Sequence, residues 1–303
     1  MTNISSKNGT DTVKEGLIFG VIAYTLWGLF PIYLKSVGEA SAMEILAHRI
    51  LWSVPFGALL IALRKQWNEV ATAFTTPRVL LLLVVSALAI SSNWLIYVWS
   101  VVNDRVLEAS LGYYINPLMY VAAGVFVLGE RLRPVQIAAV TLATIGVLVL
   151  TFGAGFFPWI SLSLAVLFTL YGYLRKTIPV GAMPGLFVET ALLSPLALIY
   201  LMWLLNSGTA VFLQSSTMMD TLLVLAGPVT VVPLVLFALS ARRLRLSTIG
   251  FLQYIGPTLQ FFLGIYYGET FTWAHGICFG SIWIALALFS FDAARANRAE
   301  QVK

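Results

Sequence analysis

Cysteine is almost missing from this chain. Cys278 stands alone among 303 residues, so no disulfide can form within the chain and cysteine usage points to no redox compartment. Charge is also scarce. Only 10% of residues are Asp, Glu, Lys or Arg, against roughly 25% in globular domains. A soluble chain of this size must cover itself with polar groups, and this one has too few. Several chemistries are missing too. There is no Gly-rich loop closing on Lys-Ser or Lys-Thr, which argues against direct ATP coupling. No His/Cys/Asp/Glu group has metal-ligand spacing, so neither a metal nor a cofactor is expected. No Ser, His and carboxylate set is legible as a nucleophilic centre. Arg-rich voltage-sensor helices and carbonyl-filter motifs are lacking, which argues against a channel.

What is present is apolar. Hydrophobic residues make up 59% of the chain, and the mean hydropathy is +0.90. The solvent for most of the surface is therefore lipid. A spanning helix needs about 20 mostly apolar residues. Runs of that kind fall at 16–36, 43–63, 79–102, 106–128, 134–153, 157–175, 184–205, 220–240, 246–267 and 272–291. The expectation is an all-α integral membrane protein of ten transmembrane helices with short connections and no soluble domain. The polar opening MTNISSKNGTDTVKEG carries no cleavable signal pattern, so the first run is expected to remain as a signal anchor.

The cations set the orientation. Lys7, Lys14, Arg64, Lys65, Arg78, Arg131, Arg133, Arg175, Lys176, Arg242, Arg243, Arg245, Arg295, Arg298 and Lys303 fall at the termini or in one alternate set of loops. The opposite set holds only Lys35 and Arg105, and Arg49 lies inside a run. By the positive-inside rule both termini are cytoplasmic, which requires an even number of helices. The net charge of +5 lies in short clusters and not along one face, so nucleic acid is not an expected partner; the lipid bilayer is.

The chain repeats itself. ASLGYYINPLMYVAAGVFVLGERL, around Pro117, returns as TIGFLQYIGPTLQFFLGIYYGETF around Pro257, 140 residues later. At the same offset Ser100, Arg105, Tyr114 and Ile115 meet Ser240, Arg245, Tyr254 and Ile255, and Pro55 meets Pro195. With a small gap, Thr25–Gly28 (TLWG) meets Thr169–Gly172 (TLYG). Each half, 1–153 and 154–303, then has five helices. Five is odd, so the second half enters the membrane from the other face. Such inverted repeats place a substrate site between the halves near mid-membrane.

These residues carry a family resemblance. WGLFPIYLK (Trp27–Lys35), EILAHRILWS (Glu44–Ser53), NWLIYVWSV (Asn93–Val101), ASLGYYINPL (Ala109–Leu118), GERL (Gly129–Leu132), the ETALLSPLALIYL run from Glu189 and the second-half QYIGPT resemble the EamA-type permeases of the drug/metabolite transporter superfamily, most of all its RarD group. The resemblance implies a bacterial inner-membrane permease that exports small metabolites, amino acids or drugs such as amphenicols. It names no substrate. The inverted repeat and the resemblance together point to alternating access. A polytopic enzyme acting on a lipid is the alternative; the five-plus-five repeat and the lack of clustered Asp, Glu and His at a helix end speak against it.

Ionisable groups within the runs are few and expensive, about 2.5–3.5 kcal/mol each on insertion scales. His48 and Arg49 enter the second run from the outer side, and Glu189 enters the seventh from the inner side. Arg49 and Glu189 are equivalent at the 140 offset. Arg49 suits a carboxylate or other anionic group of the substrate, or a structural tie. Glu189 suits a cation or a coupling proton, with His48 as a second candidate proton group or a packing residue. An aromatic and amide set completes the candidates: Asn93, Trp94 and Tyr97, then Tyr113, Tyr114 and Asn116 before Pro117, and Gln253 and Tyr254 before Pro257. Asn93 and Tyr97 share a face at i, i+4. Each Pro is expected to break its helix and free the carbonyl four residues back, at Tyr113 and Gln253. Aromatic walls with a few fixed polar groups suit a small amphipathic substrate. Glu130 and Glu269, each after a Gly, are expected to make turn contacts and not to bind substrate.

Overall fold

The computed structural model describes residues 5–128, 134–153, 157–241, 243–244, 249 and 252–301. The described residues form helices joined by short turns. In order these are α1 (Ser5–Ser36), α2 (Ala42–Leu63), α3 (Trp67–Thr75), α4 (Pro77–Val102), α5 (Val106–Leu128), α6 (Pro134–Gly153), α7 (Trp159–Thr177), α8 (Ala182–Ser207), α9 (Thr217–Ala241), α10 (Ile255–Tyr266) and α11 (Trp273–Gln301). In hydrocarbon a backbone must satisfy its own polar groups, and the helix is how an apolar run does so. Local signals set the ends. Ser41 caps α2 by accepting from the Glu44 N–H at 3.2 Å. Pro77 opens α4, where its missing N–H costs nothing. Gly208 closes α8 at φ 69°, a left-handed conformation that glycine adopts without strain.

Among the described residues six helices, α1, α2, α4, α6, α8 and α9, are long and apolar enough to cross a membrane. Shorter apolar helices occupy Trp159–Arg175 and Trp273–Leu288. Large apolar side chains cover the outside, Leu63, Phe152 and Leu196 among them. That is the surface of a protein whose solvent is lipid.

Besides the longer outer ends of α1 and α11, which reach Ser5 and Gln301, the helices differ from the expected runs in three places. α3, a nine-residue helix, occupies part of the connection between the second and third runs and tucks Val70 and Ala73 inward. In the ninth run the described helix α10 starts at Ile255, after a turn at Gln253–Tyr254; residues 245–248, 250 and 251 lie outside the described residues. The two prolines also act differently. Pro257 sits in the first turn of α10, where no N–H is needed. α5 continues through position 117. So the paired breaks expected at Pro117 and Pro257 are not a pair.

The packing order is regular. α2 lies on α8, α5 on α10 and α6 on α11, and the 140-residue offset makes the members of each pair equivalent. α1 packs on α9 as α7 packs on α4, and α1 on α10 as α7 on α5. Tyr114 and Tyr254, equivalent residues, stack at 6.3 Å between α5 and α10. Close backbone approach makes these crossings possible. A Cβ on Gly227 of α9 would stand 2.3 Å from the Trp52 carbonyl oxygen of α2, and one on Gly28 of α1 would stand 2.7 Å from Leu259 of α10.

Candidate functional site

A cavity of about 480 Å³ lies between the helices, walled by α1, α2, α4, α5, α7, α8, α9 and α10. On the side of the basic loops its wall reaches Leu60, Arg175, Met183 and Ile249. On the other side it stops at Phe30, Arg49, Tyr97 and Gln260. Beyond that blind end the helices are tied by polar contacts. The Tyr33 hydroxyl donates to the Leu222 carbonyl at 2.8 Å. The Glu44 carboxylate accepts from the N–H groups of Val211 and Phe212 at 2.9 and 3.0 Å. The Glu269 carboxylate accepts from those of Val106 and Leu107 at 2.5 and 2.7 Å. Lys35 pairs with Asp104 and lies over the Tyr267 ring. Glu269 thus makes a helix-end contact, as expected of it; Glu130 lies outside the described residues.

Arg49 sits at the blind end, 4% exposed. Its Nε donates to the Thr230 hydroxyl at 3.2 Å. Its guanidinium carbon lies 4.9 Å from the Phe30 ring centre and 4.7 Å from that of Trp94. Each such contact stabilises the cation by about 0.5–2 kcal/mol, more as water is excluded. Nη1 is buried with no partner, and Arg49 makes no ion pair among the described residues. The fixed charge is therefore held by ring faces and one hydroxyl, with a donor left over.

The aromatic and amide set gathers beside it in part. Asn93, Trp94, Tyr97, Tyr113, Asn116 and Gln253 all stand on the cavity wall. Asn93 is fixed from both ends: its Nδ2 donates to the Leu164 carbonyl at 3.0 Å, and its Oδ1 accepts from the Tyr113 hydroxyl at 3.3 Å. Tyr97 stacks on Phe30 and meets Tyr113 edge-on, and its hydroxyl has no partner. Asn116 Oδ1 is likewise buried and unpartnered. Tyr114 and Tyr254 are not on the wall. They pack on each other, and Tyr114 also meets Phe279 and Trp283 of α11 and bonds the Thr258 hydroxyl at 2.6 Å. One residue of offset on a helix is about 100°, which turns Tyr114 away from the cavity that Tyr113 faces.

His48 is turned away for the same reason. Its Nδ1 accepts from Trp52 Nε1 at 3.0 Å, and its ring lies 4.6 Å from Phe212 in the α8–α9 turn. Glu189, 1% exposed, sits behind the wall toward the basic side. Ser86 donates to it at 2.6 Å and Tyr171 at 3.4 Å, and Arg175 lies 3.8 Å away. The Arg175 Nη2 donates to the carbonyls of Gly181 and Ala182, which ties the α7–α8 turn to the pair.

Reading by residue type missed Phe30, Gln260 and the role of Arg175. In the sequence Arg175 reads as a loop cation because it ends its run. Its signal was the i, i+4 pairing with Tyr171, which puts both on the face that meets Glu189. The two charged centres are built alike. Arg49 of α2 is held against α1 and α9, and Glu189 of α8 against α7 and α4, the repeat-equivalent helices.

Known proteins bear on this arrangement. Residues 14–152 match the EamA-like transporter family. An "Uncharacterized transporter" of Vibrio cholerae is 47% identical over 94% of this chain and 95% of that protein. "Protein RarD" of Escherichia coli is 44% identical over 94% and 97%. A "Chloramphenicol-sensitive protein RarD" of Pseudomonas aeruginosa is 31% identical over 94% and 96%. A crystal structure only 20% identical aligns with a TM-score of 0.58 over 91% of this chain and 96% of its own, and shares the fold.

Proposed function

The chain belongs to the RarD group of the EamA-type drug/metabolite transporters, and from that premise we propose that it exports small amphipathic metabolites, amino acids or drugs by alternating access around the central cavity. Membership makes it a multi-pass permease of the bacterial inner membrane and not an enzyme, so the lipid-modifying alternative is set aside. The finer architecture is part of the proposal: ten spanning helices, two inverted halves meeting at the cavity, and both termini in the cytoplasm. The equivalent helix pairs and the stacked Tyr114 and Tyr254 support it.

One observation carries the reading. A buried, unpaired guanidinium closes one end of a cavity whose remaining wall is aromatic and amide. Substrate enters from the cytoplasm, rests against Arg49, Asn93, Trp94, Tyr97, Tyr113 and Asn116, and leaves when the ties beyond Arg49 open. Glu189, within reach of Arg175, Ser86 and Tyr171, carries the coupling proton. A carboxyl that gains a proton lets go of Arg175, and the α7–α8 turn held by that arginine is then free to shift.

The test is flux into proteoliposomes of purified protein, with cargo first chosen by a thermal-shift screen, since a ligand of the native state raises apparent stability by mass action. Glu189→Gln is expected to abolish transport driven by a pH gradient and to leave counterflow exchange intact. Unchanged gradient-driven uptake would remove Glu189 from coupling.

A further inference from the structure

Five polar atoms on residues of the cavity wall are buried and lack hydrogen-bond partners: Arg49 Nη1, the Tyr97 hydroxyl, Asn116 Oδ1, Gln260 Oε1 and Arg175 Nη1, the last of which has the Glu189 carboxylate 3.8 Å away. Arg49, Tyr97, Asn116 and Gln260 are each at least nine-tenths buried. An unmet buried polar group is costly, and more so when charged. Four such atoms without a counter-charge or hydrogen-bond partner, on residues that line one cavity, are better explained by a ligand than by packing. Their kinds also matter. Arg49 and Tyr97 offer hydrogens, and Asn116 and Gln260 offer carbonyl oxygens. Gln260 is oriented by its own Nε2, which donates to the Trp27 carbonyl at 3.0 Å and leaves Oε1 as the free atom.

The charge balance narrows the ligand further. Among the described residues no Asp or Glu stands on the cavity wall. The one carboxylate just behind it, Glu189, already faces Arg175, Ser86 and Tyr171. With Glu189 ionised, Arg175 and Glu189 offset each other, and the cavity keeps the single positive charge of Arg49. A zwitterion would answer Arg49 but bring an ammonium with no free carboxylate to meet it. A neutral compound would leave Arg49 unanswered, and a cation would add to it.

We propose that the cargo is an organic monoanion: a carboxylate that binds Arg49 and Tyr97, on an apolar or aromatic body that also bears a hydroxyl or amide N–H for Asn116 and Gln260. A 2-hydroxy acid and an N-acylated amino acid both have this form. The inference rests on the transporter reading and adds the charge and donor pattern of the cargo to it.

The probe is a charge series on one body, measured by thermal shift with the unmodified protein. 3-Phenyllactate and N-acetylphenylalanine are expected to raise the melting temperature with concentration. 3-Phenyllactamide, phenylalaninamide and phenylalanine are expected to bind about ten- to hundred-fold more weakly, the loss that follows from removing one charge-assisted contact. Arg49→Gln is expected to erase the preference for the acids. If that variant does not fold, the series on the unmodified protein decides alone. Equal shifts from phenyllactate and its amide, or from phenyllactate and phenylalanine, would overturn the proposal, and so would acid binding that survives Arg49→Gln. The same liposomes separate the two readings. Acids that bind but are never moved would defeat transport and leave the anion site standing. A neutral amphenicol that moves while the acids neither bind nor move would defeat the anion site and leave transport standing.

Discussion

Glu269 is the place to test whether the ties beyond the blind end form a gate. It lies in the α10–α11 turn, and its two carboxylate oxygens accept from the first N–H groups of α5, at Val106 and Leu107. Those N–H groups have no partner within their own helix, and the positive end of the helix favours a carboxylate there. The contact joins the second half of the chain to the first. Glu269→Ala removes both acceptors. Capping losses of this kind cost about 0.5–2 kcal/mol, and two bonds with partial access to water place this one at about 1–2 kcal/mol. If the outer side opens during transport, that energy is lost from the closed state only, so opening becomes about 5–30-fold more favourable. The reporter is Val229→Cys on the cavity wall, in a Cys278→Ser background that removes the chain's single thiol. A membrane-impermeant thiol reagent added from the periplasmic face is expected to label it faster by that factor when Glu269→Ala is introduced. A lower melting temperature with unchanged labelling would refute the gate and leave Glu269 a static tie. The pH dependence has a definite sign. Burial, with Asp104 adding to it, raises the Glu269 carboxyl above the usual carboxylate range, although the Leu107 and Val106 N–H groups and Lys35 pull the other way. An opened turn returns the carboxyl to its ordinary value. The closed state thus binds the proton more tightly. Its advantage is full below the ordinary value and is lost as pH rises through the raised one. Labelling should slow as pH falls through that window, and Glu269→Ala should abolish the effect.

Two further outcomes follow from the packing. Gly227→Ala brings a methyl group to 2.3 Å from the Trp52 carbonyl oxygen, so α2 and α9 must separate; the overpacking costs about 1–3 kcal/mol, and a thermal melt in detergent should show a lower midpoint. Asn93→Ala and Tyr97→Ala should each weaken cargo binding in the thermal-shift assay without loss of folded protein, whereas Tyr254→Phe, altering a ring that packs behind the wall, should leave it unchanged. Equal binding in both wall variants would remove that pair from the site.

Polar residues inside apolar runs were the legible part of the site, because membrane insertion makes each of them expensive and so conspicuous. Arg49, Asn93, Trp94 and Tyr97 stood out on that ground, and the structure brings them to one cavity. Which way each side chain points was not legible from residue type alone. His48 and Tyr114 are neighbours of cavity residues, but a one-residue step turns each toward another helix. Arg175 was hidden by a different cause. A cation at the end of a run reads as a loop charge, and only the fold shows that it reaches 3.8 Å from Glu189. Phe30 and Gln260 carried no charge signal at all. Their part follows from the crossing of α1 with α9 and α10, which the sequence expresses only through small residues such as Gly28.

The repeat was legible as an offset, and its value lies in where the two halves differ. Position 49 of the first half holds a cation, and its equivalent, position 189, holds a carboxylate. The cation keeps an unmet donor on the cavity side, while the carboxylate is surrounded by a serine, a tyrosine and an arginine. A strictly symmetric pair of halves would offer a ligand the same contacts on both sides of the midplane and hold it equally well in either direction. Here one end of the cavity holds a cation that makes no ion pair among the described residues. The other holds a carboxyl that already faces an arginine, the proposed carrier of the coupling proton. Asn116 against Gly256 adds a second difference, since only the first half offers a side-chain carbonyl oxygen from that position. In the proposed mechanism, cargo recognition and energy coupling would thereby fall to equivalent places in opposite halves. A variant that exchanged them, Arg49→Glu with Glu189→Arg, should lose both binding of the acids and the response to a pH gradient, because the cation would then face Arg175 and the carboxylate would face the two aromatic rings.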